Sequence, residues 1–545
     1  MRTLVRVCLL TLISALVAVP SGFAQTNVYG GEVKGKWKLK NSPYHVLGEI
    51  TIPDFHQLKI EPGVVVVFMG HFKFNVQGRL LAIGTEQDPI LFTAEDTEVG
   101  WHGIRFMNTQ NYNDTSKMVY CTFQYGKANT GSGLDRCGGA IMIKEFDKVL
   151  VSNCGFVSNY QSGEGWDPIP EAGPAIYIYN ASPVITNSYF AGNRSASKGS
   201  AVVCVGCPNP IISNSTFTDN EGQFAPVVAA FGSSPTISCN YIYSNRAKAG
   251  AGGILIDWYS NPTVVNNIVF NNDAPGGGGI ALYQYCNPVF IDNTIANNSA
   301  TTEGGGIYLW GNCNPGFLNN IIYGNTVNGN TAPTGSQVFI NDIESDPMFW
   351  FCDIEGGKDG FGGIGAGANY TGYYMNNIDS DPLFMRANNL DYRLSDYSPC
   401  VGAGLYYPDI PMFPIYDMFG VPRPSPSGTV PDIGAVENLL GSPLPFLLPK
   451  QGATEVRPTE YALKQNFPNP FNPTTTIQYA LPERSLVTVT IFNTLGEKVA
   501  ALVNGDVEAG YHEVQFNASG LASGVYLYRL QAGTYVETRK LLLLR

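Results

Sequence analysis

The sequence predicts an all-β chain, a long parallel β-helix solenoid followed by a small β-sandwich, and the solenoid rests on three observations. Six prolines, Pro183, Pro210, Pro235, Pro262, Pro288 and Pro315, recur at gaps of 27, 25, 27, 26 and 27 residues, the mark of a stacked repeat. Ten residues after each stands an asparagine: Asn193, Asn220, Asn245, Asn272, Asn298 and Asn325. Seven after each is a large apolar side chain (Phe190, Phe217, Ile242, Val269, Ile295, Ile322), and eight before it is Ala175, Val202, Val227, Ile254, Ile280 or Ile307. Every turn therefore points the same positions inward.

Segments such as 254–257, 280–283 and 307–310 alternate at period two and are rich in β-branched and aromatic residues, so they read as short strands. A leucine-rich repeat shares the period. It needs a leucine spine, however, and in many versions room for a helix that Gly276-Gly277-Gly278-Gly279 would break. In a parallel β-helix each strand pairs with its equivalents above and below, at about 4.8 Å per coil. The asparagines then form a row at one corner, each amide bonding the next, and Asn tolerates the left-handed backbone a tight corner demands.

The pattern extends in both directions. Val149 takes the proline's place one coil earlier, with Asn153 and Asn159 at matching offsets and an insertion between Tyr160 and Gly173. Tyr120-Cys121-Thr122-Phe123 resembles Asn153-Cys154-Gly155-Phe156, and residues 48–60, 63–68, 72–83 and 89–106 read as earlier, less regular coils. Downstream the gaps loosen to 32 and 35, at Pro347 and Pro382, as expected of capping turns. One solenoid is expected from about residue 46 to residue 384.

The run Asn377-Ile378-Asp379-Ser380-Asp381-Pro382-Leu383-Phe384, then Asp391-Tyr392-Arg393-Leu394, Ser398-Pro399 and Asp432-Ile433-Gly434-Ala435-Val436-Glu437, resembles the end of right-handed parallel β-helix proteins of the choice-of-anchor Q type. The resemblance implies the pectate-lyase-like architecture over residues 25–438, with capping turns at both ends. It speaks to fold rather than chemistry.

Residues 1–24 carry Arg2, Arg6, an apolar run from Val7 to Val19 and a small-residue close at Gly22-Phe23-Ala24, which predicts a secretory signal peptide cleaved before Gln25. No cysteine stands at the cleavage site to take a lipid, and no other stretch is long and apolar enough to span a bilayer. Residues 439–460 have the composition of a linker. Strand-like runs at 475–481, 486–493, 511–516 and 525–531 then predict a small Ig-like β-sandwich over 461–545. Gln465-Asn466-Phe467-Pro468-Asn469-Pro470-Phe471-Asn472-Pro473, Ala518-Ser519-Gly520-Leu521-Ala522-Ser523-Gly524-Val525-Tyr526 and Lys540-Leu541-Leu542-Leu543-Leu544-Arg545 closely resemble the type A C-terminal sorting domain of the type IX secretion system. That resemblance implies a Bacteroidetes-like bacterium and the type IX machinery as partner. It further implies export through the periplasm to the cell surface or the medium, with the domain removed on release or on attachment to surface lipopolysaccharide. Pro468, Asn469, Pro470, Gly524, Tyr526 and Lys540 carry the sorting match.

A net charge of −12, with only 14% charged residues, argues against nucleic acid or an anionic membrane as partner. Of the 11 cysteines, Cys8 lies in the signal peptide, and Cys204-Val205-Gly206-Cys207 sits inside a repeat rather than in a zinc or redox setting. Cys286 and Cys313 both stand two before a repeat proline, and Cys121 and Cys154 share a register. Stacked disulfides and stacked free thiols are both open.

A lyase on this architecture needs carboxylates on adjacent coils to hold calcium, and a Lys or Arg base beside them. Five before the proline the outward row reads Ile178, Val205, Ala230, Asp257, Tyr283 and Trp310, with one acid and no partner. Asp292 stands where Asn266 and Asn319 stand, as a variant of an asparagine position. The histidines His45, His56, His71, His102 and His512 lack metal-site spacing, so no metal site and no catalytic residue is assigned. The outward aromatics are more suggestive. Trp258, Tyr259, Tyr283, Tyr285, Tyr308 and Trp310 fall on three consecutive coils, a platform for stacking sugar rings with Asp257 as a polar handle, or else a stack that steadies the sheet. Two functions stay in play: a glycan-binding or adhesin-like surface protein without a cofactor, and a polysaccharide lyase or glycoside hydrolase of the same architecture, with calcium if a lyase.

Overall fold

The computed structural model describes residues 25–162, 173–196, 199, 201–225, 227–331, 334–387, 390–406 and 413–444 of a first unit. In a second it describes 461–463, 466, 471, 473–494, 496–533 and 535–543. The expected signal peptide, most of the linker and of the insertion after Tyr160, and the sorting residues Pro468, Asn469 and Pro470 lie outside the described residues.

The first unit is a right-handed parallel β-helix. Each regular coil gives one strand to each of three long parallel sheets. The first sheet has 13 strands from Thr26–Val28 to Asp353–Ile354, the second 12 from Gly31–Glu32 to Val338–Ile340, and the third 13 from Gly35–Trp37 to Tyr374–Met375. Short strands from Lys127–Ala128 to Thr326–Val327 form a fourth sheet of eight between the first and the second. The solenoid begins at Thr26, well before residue 46. Glycine and lysine between residues 30 and 40 hide an alternation in which only Val33 and Trp37 turn inward.

Inside, equivalent apolar residues stack on one another. Phe92, Phe123, Phe156, Phe190 and Phe217 form a column with ring centroids 4.6–5.0 Å apart, and Phe290, Phe317 and Phe349 form another. The repeat prolines open the strands of the third sheet, where a missing N–H costs least. Their carbonyls still join the ladder: Pro183 O accepts from Ile211 N, and so on up to Pro315 O from Met348 N.

The asparagine row forms as expected. Asn159, Asn193, Asn220, Asn245, Asn272, Asn298 and Asn325 each donate Nδ2–H to Oδ1 of the next at 2.9–3.0 Å, and the row ends on Gln337 Oε1 at 2.7 Å. Each amide also donates to a carbonyl of the preceding coil, as Asn272 does to Ile242 O, so both donors are used. One detail differs from expectation. The left-handed backbone falls one residue earlier, on Gly192, Asp219, Ser244, Asn271, Asn297 and Gly324, at φ from 52° to 69°.

A second row, five residues after each proline, was not anticipated. Ser188 N bonds Ser215 Oγ, Ser215 N bonds Asn240 Oδ1, and Asn240, Asn267, Asn293 and Asn320 then continue amide to amide. At a third corner Cys286 N–H donates to Cys313 Sγ and Cys313 N–H to Ser345 Oγ. All ten described cysteines are free thiols and nine of them are buried, which decides the stacked pairs in favour of thiols.

Pro347 keeps the register, since Met348–Trp350 pairs with Gly316–Leu318. Pro382 does not. After Ile378 the chain leaves the stack, forms the hairpin of Phe384–Arg386 and Asp391–Leu394, and folds back as a strap along the outer face of the first sheet. There Tyr392, Ala435 and Val436 pack on Ile268, Phe270 and Ala296, while Leu394, Cys400, Val401 and Ile433 pack on Ile321. Left-handed corner residues anchor it: Asn266 Nδ2 donates to Tyr416 O, and Asn319 exchanges bonds with Leu405. The first end motif thus begins on the last coil, where Asn377 and Ile378 bond Cys352, while the later ones cover a flank.

The second unit has two antiparallel sheets. Three strands, Ala462–Leu463, Thr474–Leu481 and Gly510–Asn517, face four in the order Lys498–Val507, Ser485–Phe492, Gly524–Ala532 and Tyr535–Leu543 around Ile477, Val489, Ile491, Tyr528, Leu530 and Leu541. The sequence reading missed strands 498–507 and 535–543, whose exposed residues mix charged, polar and apolar side chains such as Lys498, Ala501, Val536 and Thr538.

Candidate functional site

The corner between the second and third sheets carries several exposed aromatic residues. Tyr179, Val205, Phe231 and Asp257 pair in register along the outer face leading to it, as do Tyr283 and Trp310. Ile178 and Ala230, expected in this row, are buried and point inward. The corners before Pro183 and Pro235 are one residue shorter than the others, and in a strand a shift of one residue reverses the face.

Past the strand end, Trp258, Tyr259 and Tyr285 adopt φ of 53°, 57° and 63°, a region costly for bulky side chains. At the place of Trp258 other coils use Gly206, Gly232 and Gly311, or the polar Asn180 and Gln284. The rings are displayed all the same, with Trp258 42%, Tyr259 68%, Tyr285 48% and Trp310 43% exposed. Tyr259 and Tyr285 stack at 5.0 Å and 7°, and Trp310 meets Tyr283 edge-on at 6.0 Å. Tyr283 is half-buried, and Tyr308 is buried against Phe339. Asp257 is buried too. Its Oδ1 accepts the Trp258 N–H at 2.8 Å, so it fixes the corner from beneath instead of facing a ligand.

Other ionisable groups do converge, but out of solvent. Asp292, Asp417, Asp432 and Glu437 surround Arg423 beneath the strap, all 5% exposed or less. Of the histidines, His71 and His102 meet at 3.0 Å beside buried Arg105, and burial and that cation push His102 down to about 3, leaving it neutral. Among the described residues no group of three or more His, Cys, Asp and Glu is placed to hold a metal ion. No described helix is long and apolar enough to cross a membrane.

In the second unit Gly524 and Tyr526 lie on the strand that pairs with the last one, where Leu527 faces Lys540 and Tyr526 faces Leu541. Phe471, beside the undescribed Pro470, bridges to Leu543 of the same final strand. The two ends of the sorting motif therefore meet in one small sheet region.

A parallel solenoid with inward amide ladders, joined to a separate antiparallel unit whose termini carry an export motif, defines an exported β-helix protein. Residues 102–276 and 174–344 match the family described as right handed beta helix region, and residues 465–544 match the secretion system C-terminal sorting domain. The matches cover the middle of the solenoid and the C-terminal unit; the sorting domain implies interaction with the type IX machinery and supports export to the cell surface or the extracellular space. No curated protein and no solved structure matches the chain.

Proposed function

We propose that this exported β-helix binds polysaccharide through the aromatic corner formed by Trp258, Tyr259, Tyr285 and Trp310. The observation that supports it is the conjunction of strain and exposure. A left-handed backbone costs a non-glycine residue of order 1–3 kcal/mol, and such strain gathers where a side chain must be held in place. Glycine serves the place of Trp258 on the preceding coil, at Gly232, and a ring that only steadied the sheet would gain most by burial. Trp258, Tyr259 and Tyr285 sit in that strained backbone and keep 42%, 68% and 48% of their surface in water, and Trp310, 43% exposed, ends the strand beside them. Flat faces of Tyr and Trp, with polar tips at hand, suit the apolar face of a pyranose ring.

The test is retention of the full chain on insoluble glycans and binding in a polysaccharide array, with Trp258→Gly and Tyr285→Ala compared with the parent. Trp258→Gly should hold or raise the melting temperature, because it relieves the backbone, while binding falls by at least tenfold, as expected for a central aromatic contact. Binding that survives both substitutions would refute the assignment. Calcium-dependent release of unsaturated uronates would move it to a lyase instead.

A further inference from the structure

A second pair of exposed rings lies on the same corner, far along the solenoid. Phe55, 81% exposed at φ 60°, follows the second strand of the second sheet, Ile50–Ile52, and Tyr112, 58% exposed, follows the fourth, Ile104–Phe106. The rings stack at 5.2 Å and 11°. The pair is firmly held. Tyr112 Oη donates to Asp54 Oδ2, while Asp54 Oδ1 accepts from Phe55 N at 3.0 Å and from Asn113 Nδ2 at 3.1 Å. The coil between them offers only Gln77-Gly78 at this corner, and a Cβ on Gly78 would meet His56 O at 2.2 Å and Pro53 O at 2.4 Å. That bare corner lets the rings close over it.

Between this pair and Trp258 the corner is an open track. A half-open cavity of about 270 Å³, lined by residues 107–111 with Lys144 and Glu145, adjoins Tyr112. Lys144 Nζ and Glu145 Oε2 lie 3.5 Å apart and offset each other's charge. The next three coils carry Asn180, Gly206 and Gly232 at the left-handed position, with no large side chain. Trp258 follows the ninth strand of the sheet, five coils beyond Tyr112, which is roughly 24 Å along the axis.

We infer that one extended neutral polysaccharide chain lies along this corner, parallel to the solenoid axis, gripped by Phe55 and Tyr112 at one end and by the Trp258 corner at the other. This rests on the glycan-binding reading of Trp258 and adds its direction, its second anchor and the class of ligand. Balanced charges and amides along the track suit hydroxyl groups rather than a polyanion. Two anchors on one chain multiply through effective concentration, so affinity must depend on chain length.

The probes are soluble neutral β-glucan, xyloglucan and mannan polymers and their oligosaccharides of increasing length, presented to the full chain, to Phe55→Ala/Tyr112→Ala and to Trp258→Gly/Tyr285→Ala. Each double variant should bind polymer roughly tenfold or more weakly, whereas Phe55→Ala/Tyr112→Ala should bind the shortest retained oligosaccharide like the parent. Hydroxyl-radical footprinting of the unmodified chain needs no variant to fold, and polymer should protect Phe55 and Tyr112 where short oligosaccharide does not. If the Trp258 corner alone weakens binding and Phe55 stays unprotected, the two-anchor chain is wrong while the glycan-binding corner stands. If neither double variant weakens binding, or none of these polymers binds the parent, both fall.

Discussion

Asp292 Oδ1 and Arg423 Nη1 stand 3.9 Å apart with both side chains 2% exposed, which ties the strap to the corner of a coil far away in sequence. The same guanidinium donates to Glu437 Oε2 at 2.9 Å and to the carbonyl of Gly434 at 2.6 Å. Arg423→Met should therefore leave buried carboxylates without their cation and cost about 3–5 kcal/mol. A lowered melting temperature together with new proteolytic cleavage between residues 384 and 438 is the expected result.

The same cluster carries a pH signature. Burial raises Asp292 from 3.8 to about 6 and Asp432 to about 7, so the folded state holds protons that the unfolded chain has released. Their contribution is fully present below about pH 4 and is lost as the pH climbs through 6 and 7. Asp292→Asn, which restores the residue type of Asn266 and Asn319, should shrink the fall in melting temperature between pH 4 and pH 7.5 relative to the parent. An unchanged slope would place the titration elsewhere.

The amide ladder should be sensitive in its middle. Asn272→Leu removes the acceptor of Asn245 N and Nδ2 and the donor to Ile242 O. Leaving buried polar groups unpaired costs roughly 1–3 kcal/mol each. The denaturant midpoint of the solenoid should drop measurably, with the slope of the transition unchanged.

Ten free thiols give a simple chemical test. A thiol reagent should label the native chain only at Cys239, the one described cysteine that is not buried, and should reach the others on unfolding. A reductant should leave the melting temperature unchanged.

Deleting residues 461–545 should leave the passenger folded, since the two units have separate cores. Fractionation should find it in the periplasm, and normal surface display of the truncated chain would contradict the sorting role.

What the sequence made legible was whatever repeats with a single residue type. Asn193 to Asn325 and the inward Phe190 and Phe217 stand at fixed offsets, and the solenoid follows from them. The second ladder escaped because serine and asparagine share it, doing one job with two side chains. The outward row slipped at Ile178 and Ala230 because two corners are one residue shorter. Asp257 read as a handle because alternation gives direction but not depth. The strap was invisible for a different reason: Asn266 with Tyr416, or Asp292 with Arg423, are contacts between distant segments that no local pattern announces. The exposed rings on consecutive coils were legible, but the Phe55–Tyr112 stack was not, since those two residues come from coils with no common period.

The first described coil leaves the backbone of three sheets open on one side. Every long sheet begins there, among the described residues, with a strand that has no neighbour on one side: Thr26–Val28, Gly31–Glu32 and Gly35–Trp37. A column of parallel strands is a template for endless growth, the geometry of a fibre. Here the template is made poor. Two of the three strands begin with glycine, the middle one is two residues long, and Lys34, Lys36 and Lys38 project into solvent along it. Short, charged, glycine-broken edges of this kind discourage pairing between chains.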